Sequence, residues 1–280
     1  MIRNPIDEKF DIIILAGQSN AESSGLGPAY KDEWQVQNKI YTLKGDYTST
    51  VAKKAYGNEY LNINPSTEYY IEQTKERLYD GKVYGVFANY FAEMYKNNDL
   101  KDDRKILIVH TAVGGTGFAK WHWGLNDPLY KRMLNMTKEA LEMNSENRVV
   151  AILWHQGEHD AYEPPEMADE DRKQTYKKNL SAFIDGVRDA FGSDLPFVCA
   201  GFSRFWVKDY PNQCAAVLGA TKEVCEIKLN AAFIEKTDDL EVNDEAVANG
   251  DTVHFSRKAL YVLAERYYDA YKKITYRKEK

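Results

Sequence analysis

The stretch FDIIILAGQSNAESSG, residues 10–25, decides how the rest of the chain is read. Ile12, Ile13, Ile14 and Leu15 run without polar alternation, the pattern of a strand covered by helices on both faces. The run stops at Gly17-Gln18-Ser19-Asn20, where small and polar residues take over. Ser19 is therefore expected where a buried strand ends. Short apolar runs rich in branched residues at 106–109, 149–154, 197–200 and 229–234 predict four more strands. Between them Val86, Phe87, Tyr90, Phe91 and Met94 recur at helical spacing, as do Tyr176, Leu180, Phe183, Ile184, Val187 and Phe191. A final helix is expected with Ser256 as N-cap and Leu260, Leu263, Ala264, Tyr267 and Tyr271 on one side. Strands alternating with helices predict an α/β fold: a five-stranded parallel sheet with a helix layer on each face.

The chain has 280 residues, 44% of them hydrophobic and 29% charged, enough for one domain with a sizeable core. Residues 27–80 break the rhythm with Gly, Asn, Pro and Tyr among charges, and are expected to form a long surface excursion over the site within that single domain. A net charge of -6 argues against nucleic acid or an anionic membrane as partner and leaves a small-molecule ligand. The opening residues carry acids and bases before an apolar run too short for a signal segment, so a cytoplasmic location is expected. Cys199, Cys214 and Cys225 lack metal or redox spacing and are assigned no chemistry.

In an open parallel sheet, ligands bind outside the carboxyl ends of the strands, near the point where strand order reverses. Three polar clusters follow the predicted strand ends: GQSN after the first, HTAVGGTGFAKW (110–121) after the second and WHQGEHDA (154–161) after the third. A fourth, NGDTVHFS (249–256), precedes the last helix and holds Asp251 and His254 three residues apart. Each alone has a bland reading. A Ser after Gly is usually turn chemistry, Gly114-Gly115 a tight bend, a D-x-x-H pair an accident, and Gln156-Gly157-Glu158 a capped loop. Their joint placement points to acyl transfer. Ser19 becomes a nucleophile if His254 takes its proton while Asp251 holds the other ring nitrogen. The backbone N–H groups of Ser19 and Gly115 and the side chain of Gln156 are expected to receive the oxyanion.

GQSN, AVGGT, WHQGE and DTVHFS, in this order between residues 17 and 256, resemble the four sequence blocks of the SGNH hydrolases. The resemblance is to the branch holding sialate O-acetylesterase-like proteins and acetylxylan esterases of carbohydrate esterase family 6. It implies a flavodoxin-like three-layer sandwich, deacetylation of a carbohydrate without metal or cofactor, Ser19, Asp251 and His254 as triad, and Gly115 and Gln156 completing the oxyanion hole. His159 stands where the branch more often has Ser. Glu158 is expected to help orient His254 or its loop.

Two rivals stand beside this reading. His155, Glu158 and His159 also spell the H-x-x-E-H of a zinc metallopeptidase, a motif that needs a helix, whereas here it starts at the end of an apolar run and contains Gly157. SNAESSG also suits a flavin or phosphate loop, in which Asp251, His254 and Gln156 have no task. Trp121 is a candidate for lining the sugar pocket against a core or hinge role, and Arg204 for meeting an acidic sugar against a surface charge.

Overall fold

The computed structural model describes residues 1–30, 38–45, 61–71 and 82–276. Its centre is the strand expected from the opening stretch, β1 (Phe10–Gly17), every residue of which is buried. Parallel partners flank it: β6 (Lys105–His110) on one side and β7 (Arg148–His155) on the other. Beyond β7 lie β8 (Phe197–Ala200) and β9 (Ala231–Ile234), and beyond β6 lie β2 (Ile40–Gly45) and β3 (Leu61–Pro65). The order β3-β2-β6-β1-β7-β8-β9 sends the chain away from β1 in both directions, so the switch point lies at the carboxyl end of β1.

Two helices, α2 (Phe87–Asn98) and α9 (Arg257–Thr275), cover one face. There Ile13 and Leu15 of β1 share a core with Phe87, Phe91, Leu260, Leu263 and Tyr267. On the other face α3 (Pro128–Glu142), α5 (Asp169–Phe191) and α7 (Pro211–Ile227) bury Ile14 and Ala16 among Trp154, Phe183, Leu180 and Val217. Successive β1 side chains point to opposite faces, so a strand with both faces covered is apolar throughout. Ser256 caps α9, its hydroxyl accepting from the Ala259 N–H at 3.1 Å.

The three-layer α/β/α architecture is as expected, but the sheet has seven strands and not five. Both additional strands come from the stretch expected to be a surface excursion. Leu43, Leu61 and Ile63 are buried against Leu107 and Val109, and Ile40 joins the opposite core with Ile106 and Ile108, while the residues between them are polar or aromatic. Such half-buried segments alternate too weakly to stand out beside the runs of the central strands. β3 runs antiparallel to β2. Past β3, buried Glu68 pairs with Arg257 at the start of α9 and accepts from the Tyr90 hydroxyl, anchoring this segment to the body. Residues 69–71 (β4, Tyr69–Ile71) pair with β5 (Lys82–Tyr84). The rest of the excursion, residues 31–37, 46–60 and 72–80, lies outside the described residues.

One charged cluster fixes the amino end of β1. Asp11, fully buried, accepts from Arg104 Nε at 2.7 Å, Arg148 Nε at 2.7 Å and the Tyr95 hydroxyl at 2.8 Å. Burial works to raise its carboxyl, and these donors outweigh it and hold the pKa below the usual value. Because the folded pKa is depressed, the stabilisation is complete above the unfolded value of about 3.9 and is lost as pH falls through the folded one. Asp11→Ala leaves two guanidinium groups unpaired and is expected to lower stability at pH 7 by roughly 3–5 kcal/mol in urea unfolding, with the deficit shrinking below about pH 4.

Candidate active site

At the switch point the chain turns sharply. Gly17 has φ +124°, and a Cβ there would lie 2.1 Å from the His155 carbonyl oxygen. No other residue fits so close to the neighbouring strand. The Gln18 N–H then donates to that same carbonyl at 2.9 Å, and Ser19 opens α1 (Ser19–Glu22). As the first helical residue its N–H has no intrahelical partner.

The structure brings Ser19, His254 and Asp251 together. Ser19 Oγ lies 2.8 Å from His254 Nε2, and His254 Nδ1 lies 2.8 and 3.0 Å from the two carboxylate oxygens of Asp251. Asp251 also accepts from the backbone N–H of His254 (3.1 Å) and Val253 (3.2 Å) and from Asn243 Nδ2 (2.9 Å). Desolvation pulls its pKa upward, but the imidazole and these amides dominate and hold it at about 2. An ionised carboxylate only accepts, so Nδ1 carries the hydrogen and a neutral His254 presents Nε2 as acceptor to the serine hydroxyl.

The turn after β6 supplies the opposite wall. Gly114 packs on Ser19, a Cβ there falling 3.4 Å from Ser19 Cβ, and its N–H donates to Glu22 Oε2 at 2.7 Å. Gly115, at φ +67°, is exposed, and its N–H has no hydrogen-bond partner among the described residues. Farther along the turn, Phe118 and Ala119 donate their N–H groups to Asp160 of α4 (Glu158–Tyr162) at 3.0 and 2.8 Å. Burial raises the Asp160 carboxyl to about 6 against the pull of Gln156, these two amides and Arg172.

Gln156 departs from its expected role as a direct oxyanion donor. Its Nε2 faces Asp160 Oδ2 at 2.6 Å and both Gln18 Oε1 and the Thr116 carbonyl at 3.2 Å, and its Oε1 accepts from Tyr176. Two amide hydrogens already have three acceptors, so the residue ties the glycine turn to the site floor. Glu158 does not touch His254: its Oε1 accepts from Asn20 Nδ2 at 2.8 Å, and Asn20 in turn bonds the loop carrying His254. His159 lies against the glycine turn and His122, ring centroids 6.1 Å apart, and burial lowers its pKa to about 4. Trp121 is 81% exposed on the loop beyond Gly115, whereas Trp123 is buried. Arg204, expected to meet an acidic sugar, pairs with Glu245 and donates to the Asp238 and Leu240 carbonyls.

The zinc-peptidase reading fails on geometry. His155 ends a strand and Glu158 begins a helix, so the five residues do not share one helical face. The phosphate-loop reading places an anion where Glu22 already puts a carboxylate beside Gly114. Asn20, Asn243 and Asp160 belong to the site network but escape sequence reasoning. Asn20 and Asp160 sit in the quoted GQSN and WHQGEHDA blocks, while Asn243 carries no local signal.

Residues 9–273 match the family described as carbohydrate esterase, sialic acid-specific acetylesterase. The chain belongs to this family. A curated relative from Escherichia coli (strain K12), the probable 9-O-acetyl-N-acetylneuraminic acid deacetylase, is 23% identical over 140 residues, 43% of this chain and 42% of that protein. The matched stretch thus spans under half the relative's length. Among solved structures, NanS superposes with a TM-score of 0.73 at 18% identity, covering 98% of this chain and 99% of the other. A protein of Arabidopsis thaliana gives 0.65 at 20% identity over 95% and 98%. A carbohydrate acetylesterase of Xanthomonas citri gives 0.57 at 16% over 95% and 56%. At these identities the superpositions speak for the fold. Among the described residues no helix is long and apolar enough to cross a membrane.

The Asp160 bonds make the glycine turn testable by itself. Asp160→Asn puts an amide hydrogen where an acceptor is needed. Amide exchange at Phe118 and Ala119 is expected to quicken and stability to fall by about 1–3 kcal/mol, read by exchange mass spectrometry and thermal unfolding.

Proposed function

We propose that this protein is a metal-independent serine esterase that removes O-acetyl groups from a carbohydrate, with Ser19 as nucleophile, His254 as general base and Asp251 as its partner. The observation that carries the reading is the continuous hydrogen-bonded line Ser19–His254–Asp251, at 2.8 Å for each link, in a chain of this esterase family. The nucleophile transfers its proton to Nε2 as its oxygen attacks the acetyl carbonyl. The oxyanion meets the N–H groups of Ser19 and Gly115, neither of which has a protein partner to surrender among the described residues. The collapsing intermediate expels the sugar alkoxide, which takes the proton from His254 and leaves an acetylated serine. Water, deprotonated by the same imidazole, then releases acetate and restores the hydroxyl. Gln156 supports the oxyanion turn through the Thr116 carbonyl.

The sugar that leaves is assigned to the rim. Trp121 holds φ +59°, a conformation that costs an ordinary residue of order 1–3 kcal/mol, and exposes its ring beside Lys120, which bridges to Glu163 at 2.8 Å. A strained, exposed indole beside the oxyanion turn suits stacking on a sugar ring. An O-acetylated sialic acid, the substrate class in the E. coli relative's name, heads the panel to be tried.

Ser19→Ala is expected to abolish acetate release from p-nitrophenyl acetate and acetylated sugars while thermal unfolding stays unchanged. Retained turnover defeats the assignment. Asp251→Asn, which lets Nδ1 lose its hydrogen, is expected to lower kcat by roughly 10⁴-fold. Trp121→Ala is expected to cut kcat/KM for an acetylated sugar relative to p-nitrophenyl acetate by about tenfold. An unchanged ratio removes the platform.

A further inference from the structure

Ser19 and His254 stand 235 residues apart in sequence, and a proton-transfer pair tolerates little error in separation. The residue that follows the nucleophile addresses this. Asn20 is 1% exposed, and its side chain reaches both chain neighbours of the base. Its Oδ1 accepts from the Phe255 N–H at 3.1 Å, and its Nδ2 points to the Val253 carbonyl at 3.4 Å. His254 is thus bracketed on either side by a group covalently next to Ser19.

The bracket has a defined orientation. A backbone N–H only donates, so Phe255 must meet the amide oxygen, and an ionised carboxylate only accepts, so Glu158 must meet the amide nitrogen. Glu158 Oε1 lies 2.8 Å from Asn20 Nδ2 and is itself buried, 3.5 Å from His155 Nε2. The carboxyl is desolvated, yet His155 and Asn20 keep its pKa below the ordinary value, so it remains an acceptor. Behind it, His155 Nδ1 meets the Tyr267 hydroxyl at 3.2 Å, and that hydroxyl donates to the Trp154 carbonyl at 2.7 Å. The chain of contacts roots Asn20 in β7 and α9. The Ser24 hydroxyl adds a second donor to the amide oxygen at 3.3 Å.

We infer that Asn20 is a positioning residue that holds His254 at reacting distance from Ser19, and that Glu158 acts on the reaction only by orienting Asn20. The inference rests on the esterase reading for its kinetic consequence. Its structural content stands apart, because the Phe255 N–H reports the bracket whatever the chemistry.

The test uses the full chain with Asn20→Ala, Asn20→Asp and the double change Asn20→Asp with Glu158→Gln. Three quantities are read: kcat and KM for p-nitrophenyl acetate, the rate at which a p-nitrophenyl alkylphosphonate modifies Ser19, and hydrogen exchange at Phe255. Asn20→Ala is expected to lower kcat and the phosphonylation rate by about 100-fold with KM little changed, and to speed exchange at Phe255. Asn20→Asp sets two carboxylates face to face and is expected to do the same. In the double variant the amide introduced by Glu158→Gln donates to one oxygen of the carboxylate introduced by Asn20→Asp. The other oxygen still accepts from Phe255, and about tenfold of the loss is expected to return.

Wild-type kcat and phosphonylation in Asn20→Ala overturn the inference, as does a double variant no better than Asn20→Asp. Unchanged exchange at Phe255 does so too. Where Asn20→Ala fails to fold, the comparison of Asn20→Asp with the double variant decides. If the unmodified protein cleaves no acetyl ester, or Ser19→Ala still does, the esterase reading fails, and exchange at Phe255 alone decides whether the bracket exists.

Discussion

The close approach of Gly17 to the His155 carbonyl is the contact on which the arrangement depends. Two parallel strands end side by side there, and the absence of a side chain at Gly17 lets the chain turn over the end of β7. The turn is held by the Gln18 N–H on the same carbonyl, and it delivers Ser19 to the open end of the sheet. A methyl group at that position would sit 2.1 Å from the carbonyl oxygen, far inside contact distance, while the backbone adopted a conformation unfavourable to L residues. A strand buried on both faces cannot absorb such a shift, because its register with β6 and β7 is fixed by packed side chains.

Around that corner the polar residues divide into two groups. Those that meet a reacting ester, Ser19, His254 and the Gly115 N–H in our reading, have few protein partners beyond one another. Those behind them are saturated: Gln156 joins Gln18, Thr116, Asp160 and Tyr176, and Asn243 joins Leu26, Ser24 and Asp251. The contrast has a physical reason. A donor that is to stabilise charge only when charge appears must be left without a ground-state partner, and it stays in place only if its neighbours have theirs.

The central strands are legible because burial on two faces forces an unbroken apolar run, as at Ile12–Leu15, and the covering helices because one-sided burial imposes their period. β2 and β3 are not. β2 buries Ile40 and Leu43 and β3 buries Leu61 and Ile63, and in five or six positions so few anchors are indistinguishable from a loop with a few apolar residues. Helices α3 and α7 are also hard to read; the first carries Arg132 and Thr137 among its buried residues, which blurs the stripe. At the site, Ser19, Asp251 and His254 can be named from their blocks, whereas Gln156 suggests a different partner from the one it has. A side-chain amide at a strand end looks the same in sequence whether it faces an oxyanion or a carboxylate, and Asp160, four residues on, claims it here.

The sequence by itself determined that strands and helices alternate, that four polar blocks follow or precede buried elements, and which residue types capable of acyl transfer those blocks contain. These are consequences of local periodicity and of what each side chain can do. Only the tertiary structure decided that Ser19 meets His254, that Asn20 reaches the backbone beside His254, and that Arg204 turns to Glu245. Each of those pairings joins groups far apart in the chain. Partner choice at such separations is made by how the layers pack, and packing leaves no trace in the spacing of residues along either segment.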